Sequence, residues 1–360
     1  MKNVCFFNSI KFWGGGEKLQ FENALIFHKK GYNVTIACAA NSLLMEKAKQ
    51  ANITTFAIQF SSLSFLNPLK RKKLQYFYKK NKIDTVVFTT SQDAKAGGIA
   101  AKRAHVKRIV YLRGLAAPIK GSAINRYLFG KVLTHIVANS EATKSKILKN
   151  LLDTISEESI KVIYHGIEQN QALNPVSIQN NTGKIILGNA GRLTKQKGQQ
   201  HLIPLAKILK ERGLDFELLI AGSGELEAEL KTSIQENGVE NEVKLLGFVE
   251  DVPAFMQRLD IFVLSSLWEG FGFVIVEAME MAKPVVAFNL SSNPEIITQN
   301  KTGFLIEFPN LEAFADKIQQ LTEDKNLRNK MGIDAKKSAL ERFEINERVT
   351  EFENYISNNS

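Results

Sequence analysis

Cysteine is nearly missing from this chain: its 360 residues include only Cys5 and Cys38, both inside apolar runs that read as strands. That excludes a disulfide framework and fits a reducing compartment, with both thiols read as small buried hydrophobes. Two cysteines and five scattered histidines also supply too few ligands for a metal site, so none is expected. Long apolar runs are absent too. No stretch of about 18 uncharged apolar residues occurs, so no spanning helix is expected. The opening Met1-Lys2-Asn3-Val4-Cys5-Phe6-Phe7 leads into polar residues without a cleavable secretory pattern, which points to the cytoplasm. Neither an Asp-x-Asp pair nor a complete Gly-x-Gly-x-x-Gly dinucleotide fingerprint occurs.

What the chain does have is positive charge, unevenly placed. The formal net charge is +10. Residues 1–181 hold 27 basic against 10 acidic side chains, net +17, while residues 182–360 hold 20 against 27, net −7. Such a split supports two domains, for which the length is ample, and makes the first half a candidate surface for an anionic partner. Short apolar runs read as strands at 4–7, 34–38, 54–58, 85–89, 108–111, 135–138 and 161–164, with amphipathic stretches such as 17–30 between them. Residues 168–183, rich in Asn, Gln and Pro and without a period, read as a linker. The alternation restarts with strands at 185–190, 216–221, 243–247, 261–264, 284–288 and 303–306, then gives way to helices from 311 onward. Strands alternating with helices imply right-handed crossovers and parallel sheets, an α/β chain. The expected domains are 1–168 and 184–342, joined by 169–183 and followed by an amphipathic terminal helix over 343–360. Phe343, Val349, Phe352 and Tyr355 form its apolar stripe.

Two carboxylates carry the strongest local signal. Glu269-Gly270-Phe271-Gly272-Phe273-Val274-Ile275-Val276-Glu277 follows a buried strand and opens an apolar helix that Pro284 stops. Gly270 and Gly272 permit close backbone approach, and a helix start suits an anion. Glu277 is an isolated carboxylate among apolar residues, which is costly without a partner. Gly14-Gly15-Gly16-Glu17 follows the first strand and is either a phosphate-approaching loop or a tight turn. Gly191-Arg192-Leu193-Thr194-Lys195-Gln196-Lys197-Gly198 follows the first strand of the second half. There Arg192 and Lys197 make a guanidinium–ammonium pair suited to a diphosphate, or a solvated basic turn. Ala221-Gly222-Ser223-Gly224-Glu225 reads as a tight strand-to-helix turn. Residues 70–82 pack seven basic side chains around Leu74, Tyr76, Phe77 and Tyr78, either a helix lying on an anionic bilayer or a solvated face.

The Glu269–Glu277 stretch resembles the acidic signature of retaining glycosyltransferases of family 4, and the whole chain can be laid along that family's order of elements. The resemblance implies the GT-B fold, two Rossmann-like domains with parallel sheets facing a central cleft, the terminal helix packing back on the first. It implies that Glu269 bonds the donor sugar's hydroxyls and Glu277 the ribose, with backbone N–H groups of Phe271 and Gly272 completing the sugar pocket beside Gly270. Arg192 and Lys197 would stabilise the leaving nucleotide, Gly15 and Gly16 would face the donor diphosphate, and Phe248 and Val249 would border the base. Departures are present. Arg113 stands where a histidine is common, and could meet a phosphate, an acidic sugar, an anionic acceptor or an internal ion pair. Ala282-Lys283-Pro284 lacks the usual glycine, Ser291-Ser292 replaces paired glycines, and His165 replaces an asparagine and reads as a satisfied loop histidine. Glu280 reads as structural or solvated.

The expected activity is therefore metal-independent, retaining transfer of a sugar from a nucleotide-diphosphate donor, UDP by base rate, to a hydroxyl of a lipid-linked or envelope-glycan acceptor. No other cofactor is expected. Peripheral contact with the inner face of an anionic membrane through 70–82 goes with it. The rivals are a nucleotide-sugar epimerase of the same fold and a non-enzymatic binder of anionic ligands or nucleic acid. Nucleic acid is not the expected partner, because aromatic–basic interleaving is confined to 70–82 and the acidic pair would go unexplained.

Overall fold

The computed structural model describes residues 2–60, 64–168 and 183–358, so the expected linker lies outside the described residues except at its ends. Contacts divide the chain into two compact units, Met1–Gly166 with Asn346–Ser360, and Ile167–Ile345. In the first, seven strands, β1 (Asn3–Asn8), β2 (Asn33–Ala39), β3 (Thr54–Ile58), β4 (Thr85–Phe88), β5 (Arg108–Arg113), β6 (His135–Ala138) and β7 (Ile160–Val162), form one parallel sheet. Its order is β3-β2-β1-β4-β5-β6-β7. In the second, β8 (Ile185–Ala190), β9 (Phe216–Ala221), β10 (Val243–Gly247), β11 (Ile261–Leu264), β12 (Val285–Phe288) and β13 (Gly303–Ile306) form a sheet ordered β10-β9-β8-β11-β12-β13. Every pairing is parallel. Continuous burial of β4, β5, β6, β11 and β12 explains why they read as unbroken apolar runs. Both orders reverse beside their first strand, between β1 and β4 and between β8 and β11. Ligands of such sheets bind at these reversals, beyond the carboxyl ends of the strands.

Helix α1 (Gly15–Lys29) starts directly after the extended Gly14 and ends where Gly31 turns left-handed at φ 86°. Helix α2 (Pro68–Lys80) is capped by the Asn67 side chain, which accepts from the N–H groups of Leu69 and Lys70. Its apolar residues divide in a way the residue count alone did not separate. Leu74, Phe77 and Tyr78 are buried, Phe77 stacking on Phe56 at 4.0 Å between ring centroids, because they sit on the face turned to the sheet. Of the aromatics expected to face a bilayer, only Tyr76 is exposed; Leu69 joins it, with Lys72, Lys73, Lys79 and Lys80 on that side.

In the second unit, helix α3 (Phe273–Glu280) leads to Ala282, and helix α4 (Lys325–Arg342) packs beside it. Ala282 is held at φ 55°, a left-handed conformation that suits glycine, which accounts for the glycine usual at this place. A Cβ on Gly332 of α4 would lie 2.1 Å from the Ala282 carbonyl oxygen, so this turn and α4 touch backbone to backbone. Ala282→Gly is expected to stabilise the protein by about 0.5 kcal/mol, a rise of 1–2 °C in a thermal melt, since relieved left-handed strain outweighs the added chain entropy. A fall would count against that strain.

Helix α5 (Ile345–Asn358) belongs, from Asn346 on, to the first unit. Phe352 meets Phe27 edge-on at 6.1 Å and Tyr355 meets His135 at 5.3 Å. Arg108 Nε donates to the Ile356 carbonyl at 2.8 Å, and Glu353 accepts from Lys30 Nζ and the Tyr32 hydroxyl, both at 2.5 Å. Burial and that carboxylate push the Tyr32 hydroxyl up to about 12. Phe343, expected within this helix, instead precedes it and packs on Phe271 of the second unit at 5.4 Å. The reason is local: Ile167 and Phe343 to Ile345 exchange backbone hydrogen bonds before the chain turns into α5.

Candidate active site

Four loops of the second unit lie side by side at the β8–β11 reversal, in the order of their strands. The segment after β8 bends at Gly191, and Leu193 donates to the Ser223 carbonyl at 3.0 Å and accepts from Leu226 at 3.1 Å. Here the glycines of Gly222-Ser223-Gly224 have a clear purpose. A Cβ on Gly222 would sit 1.9 Å from the Gly191 oxygen, and one on Gly224 2.3 Å from the Leu193 oxygen. The loop is a seat for the backbone of 191–193, as its reading as a tight turn implied. Gly222 N–H also donates to the Gly247 carbonyl at 2.7 Å, which ties in the stretch bearing Phe248 and Val249. Phe248 is 77% exposed and Val249 half-buried, so the large aromatic surface here faces solvent.

The next seam brings the chemistry together. Leu267 N–H donates to the Gln196 carbonyl at 2.9 Å, the Gln196 amide donates to the Trp268 carbonyl at 2.9 Å, and the Ser265 hydroxyl donates to the Lys197 carbonyl at 3.2 Å. Gly198, at φ 66°, allows this approach; a Cβ there would lie 2.2 Å from the Ser265 oxygen. The result is an ion pair at 2.6 Å between Lys197 Nζ and Glu269 Oε1, with side chains only 17% and 7% exposed. Sequence reading gave these two residues separate partners; their mutual contact requires the register of two loops 72 positions apart. Arg192, on the same segment, is exposed and makes no ion pair among the described residues, while its carbonyl accepts from the Gln199 amide.

The Glu269–Gly272 turn is held from outside. Ser291 donates its hydroxyl to the Glu269 carbonyl at 2.7 Å, and Ser292 to the Phe271 carbonyl at 3.1 Å. Ser291 is at φ 54°, which explains why glycine is common there, and its hydroxyl supplies a bond that glycine lacks. Phe271 is buried between Phe273 and Phe343, and Gly272 at φ 87° caps α3. Gly270 is buried in the same turn. Glu277 is the fifth residue of α3 and half-buried; Glu280 is buried. Glu280 is thus structural and not solvated.

In the first unit, Gly15 and Gly16 are the first residues of α1, and a Cβ on Gly16 would meet nothing within 4 Å, so packing does not demand glycine there. Glu17 is buried and accepts from Asn8 Nδ2 at 3.0 Å. His165 pairs with Glu22 Oε2 at 3.0 Å, a satisfied loop histidine. Arg113 ends β5 and is buried, with no carboxylate partner among the described residues. The internal ion pair allowed for it is therefore not present among them. Nor, among the described residues, does any group of three His, Cys, Asp or Glu side chains stand ready for a metal.

Family models settle what this architecture is. The model of glycosyl transferases group 1 matches residues 170–338, and that of glycosyltransferase family 4 matches residues 13–171. The chain is a family 4 glycosyltransferase. It is 30% identical to the capsular polysaccharide biosynthesis glycosyltransferase CapM of Staphylococcus aureus over 66% of each chain. It is 28% identical to an Escherichia coli UDP-Gal:alpha-D-GlcNAc-diphosphoundecaprenol alpha-1,3-galactosyltransferase over 75% of this chain and 74% of that one. HepE of Anabaena, solved in complex with UDP-glucose, superposes with a TM-score of 0.84 at 24% identity over 99% of this chain and all of its own. The two units are thus those of the GT-B fold. In the glycosyltransferase the four loops confine charged and hydrogen-bonding groups to one strand edge. Its Lys197–Glu269 pair holds a donor of hydrogen bonds against an acceptor in a site largely shielded from water, where both act more strongly than in solvent.

Proposed function

We propose that this glycosyltransferase moves a sugar from a UDP-sugar to a hydroxyl of a lipid-linked or envelope-glycan acceptor, with retention at the anomeric carbon and without a metal. The observation that carries the proposal is the Lys197–Glu269 pair at the sheet reversal, with Arg192 on the same segment exposed and without an ion pair among the described residues. As the sugar–oxygen bond breaks, negative charge grows on the leaving diphosphate. Arg192 and Lys197 are fixed cations for that charge, and Glu269 accepts from donor-sugar hydroxyls when Lys197 turns to the phosphate. The leaving phosphate oxygen takes the acceptor's proton, so no side-chain base is needed. The names of CapM and of the galactosyltransferase favour an envelope-glycan acceptor, and the ligand of HepE favours a UDP-sugar.

Glu277, in the early turns of α3, is assigned to the ribose. UDP at about 100 times its dissociation constant should add roughly 2.7 kcal/mol to the wild-type protein, a rise of several degrees, and much less to Glu277→Ala. GDP and ADP serve as controls in the same melts. No shift with any nucleotide would sink the donor assignment.

Helix α2 is assigned to an anionic membrane, through Leu69 and Tyr76 and the four exposed lysines rather than through its buried aromatics. Each cation near such a surface contributes about 1 kcal/mol, so Lys72→Gln/Lys73→Gln should weaken co-sedimentation with phosphatidylglycerol vesicles by roughly tenfold or more. Leu69→Gln/Tyr76→Gln should do so through lost apolar contact. Unchanged sedimentation in both variants would remove the membrane from the proposal.

A further inference from the structure

Arg113 presents an unsettled charge. Its side chain is 8% exposed, at the carboxyl end of β5 where ligands of a parallel sheet gather. Among the described residues all its hydrogen-bond partners are neutral. Nε donates to the Leu115 carbonyl at 2.9 Å, Nη2 to the Ala117 carbonyl at 3.1 Å, and Nη1 to the Tyr111 hydroxyl at 3.0 Å and Ser91 Oγ at 3.4 Å. These bonds fix the fork and the loop that follows β5. They do not neutralise it, and a buried cation without a counter-charge is among the costliest arrangements in a protein.

Two further cations lie on the segments that Arg113 bridges, Lys95 beyond Ser91 and Lys120 beyond Ala117. Lys95 stands four residues after Ser91, one helical turn on, and is half-buried. Burial, and then the Lys120 ammonium, hold the Lys95 amine below the usual lysine range. Lys120 closes the loop that Arg113 pins, and neither lysine forms an ion pair among the described residues. The one carboxylate nearby in sequence, Asp93, turns elsewhere: it accepts from the Ser9 N–H at 2.9 Å and the Thr90 hydroxyl at 2.7 Å. Three cations on the segments joined through Arg113, with no ion pair to an acid among the described residues, make a seat for a multiply charged anion.

We propose that Arg113, Lys95 and Lys120 bind a phosphate-bearing group of the acceptor, so that the substrate class is a phosphorylated or diphosphate-linked acceptor. This rests on the transferase reading above and extends it to the acceptor side. Arg113 supplies the rigid, preoriented charge and the two lysines the adaptable ones. The counter-charge that Arg113 lacks among the described residues is brought by the substrate.

The test is calorimetric titration of the full chain with geranyl diphosphate, inorganic pyrophosphate and geraniol. It is run in the Arg192→Ala/Lys197→Gln background, which weakens anion binding at the donor loops. Geranyl diphosphate should bind there, and Lys95→Gln/Lys120→Gln should weaken it at least tenfold, as should Arg113→Gln; geraniol should not bind. Equal affinity for pyrophosphate would mean that the phosphates alone are read, and tighter geranyl diphosphate that the lipid adds to them; both outcomes uphold the site. Absence of binding by both anions, or binding unaltered in both sets of variants, overturns it. Lys95 and Lys120 are partly or fully exposed, so their variants keep the test valid if Arg113→Gln loosens its loop. UDP binding unaffected by the background substitutions would instead sink the donor assignment and leave this result standing.

Discussion

Replacing either member of the Lys197–Glu269 pair, proposed to hold the leaving diphosphate and the donor sugar respectively, is expected to reduce kcat/KM by two to three orders of magnitude, the usual effect of removing one preorganised polar group from an active site. Stability should fall as well. Lys197→Ala leaves a buried carboxylate without its cation, and Glu269→Ala leaves a buried ammonium. With side chains 17% and 7% exposed, the loss should be about 2–3 kcal/mol, somewhat under the cost of orphaning a fully buried charge. The double variant separates the two effects. It removes both charges, so most of the lost stability should return while activity stays low. A double variant as unstable as the sum of the singles would show that the pair is not coupled. One that recovers activity would show that it is not part of the donor site.

Gly222→Ala is expected to destabilise the second unit by more than 3 kcal/mol, read as a lost or strongly lowered thermal transition. The methyl group would come within 1.9 Å of the Gly191 oxygen at φ 142°, and neither strand can yield. Gly191 donates to Ala221, and Gly222 itself donates to Gly247, so both backbones are fixed by the bonds that stitch three loops together. Gly16→Ala offers the contrast. Nothing lies within 4 Å of the added Cβ, and alanine is the better helix former, so stability should hold or rise by up to about 1 kcal/mol. A severe loss there would contradict the open geometry at Gly16.

Strand positions were legible in the sequence because both sheets are parallel and covered on two faces, which writes each strand as a short unbroken apolar run. Each of the thirteen strands among the described residues falls at an expected place. Ends were less legible where a strand runs on to a charged residue, as β5 does through Leu112 to Arg113, or where a proline precedes one, as before Val285. The site was legible as residue types and not as contacts. Lys197 and Glu269 both drew attention, yet their pairing depends on Gly198 admitting the Ser265 carbonyl, a long-range register that no local pattern records. Ser291 read as a departure from glycine, since neither its left-handed backbone nor its bond to Glu269 can be seen in one chain. In α2, composition counted the aromatics correctly but could not tell the buried Phe77 from the exposed Tyr76 one position away.

The return of α5 sets the order in which the units form during synthesis. Phe352, Glu353, Tyr355 and Ile356, which complete the first unit, leave the ribosome only after all of Ile167–Ile345. At about 5–20 residues per second, those intervening residues delay completion by roughly 10–40 s. The unit that begins first is therefore finished last, its α5 surface around Phe27 and His135 waiting uncovered, while the second unit is encoded as one uninterrupted segment and can close ahead of it. A chain truncated before Asn346 and released would carry every residue of the second unit and an unfinished first one.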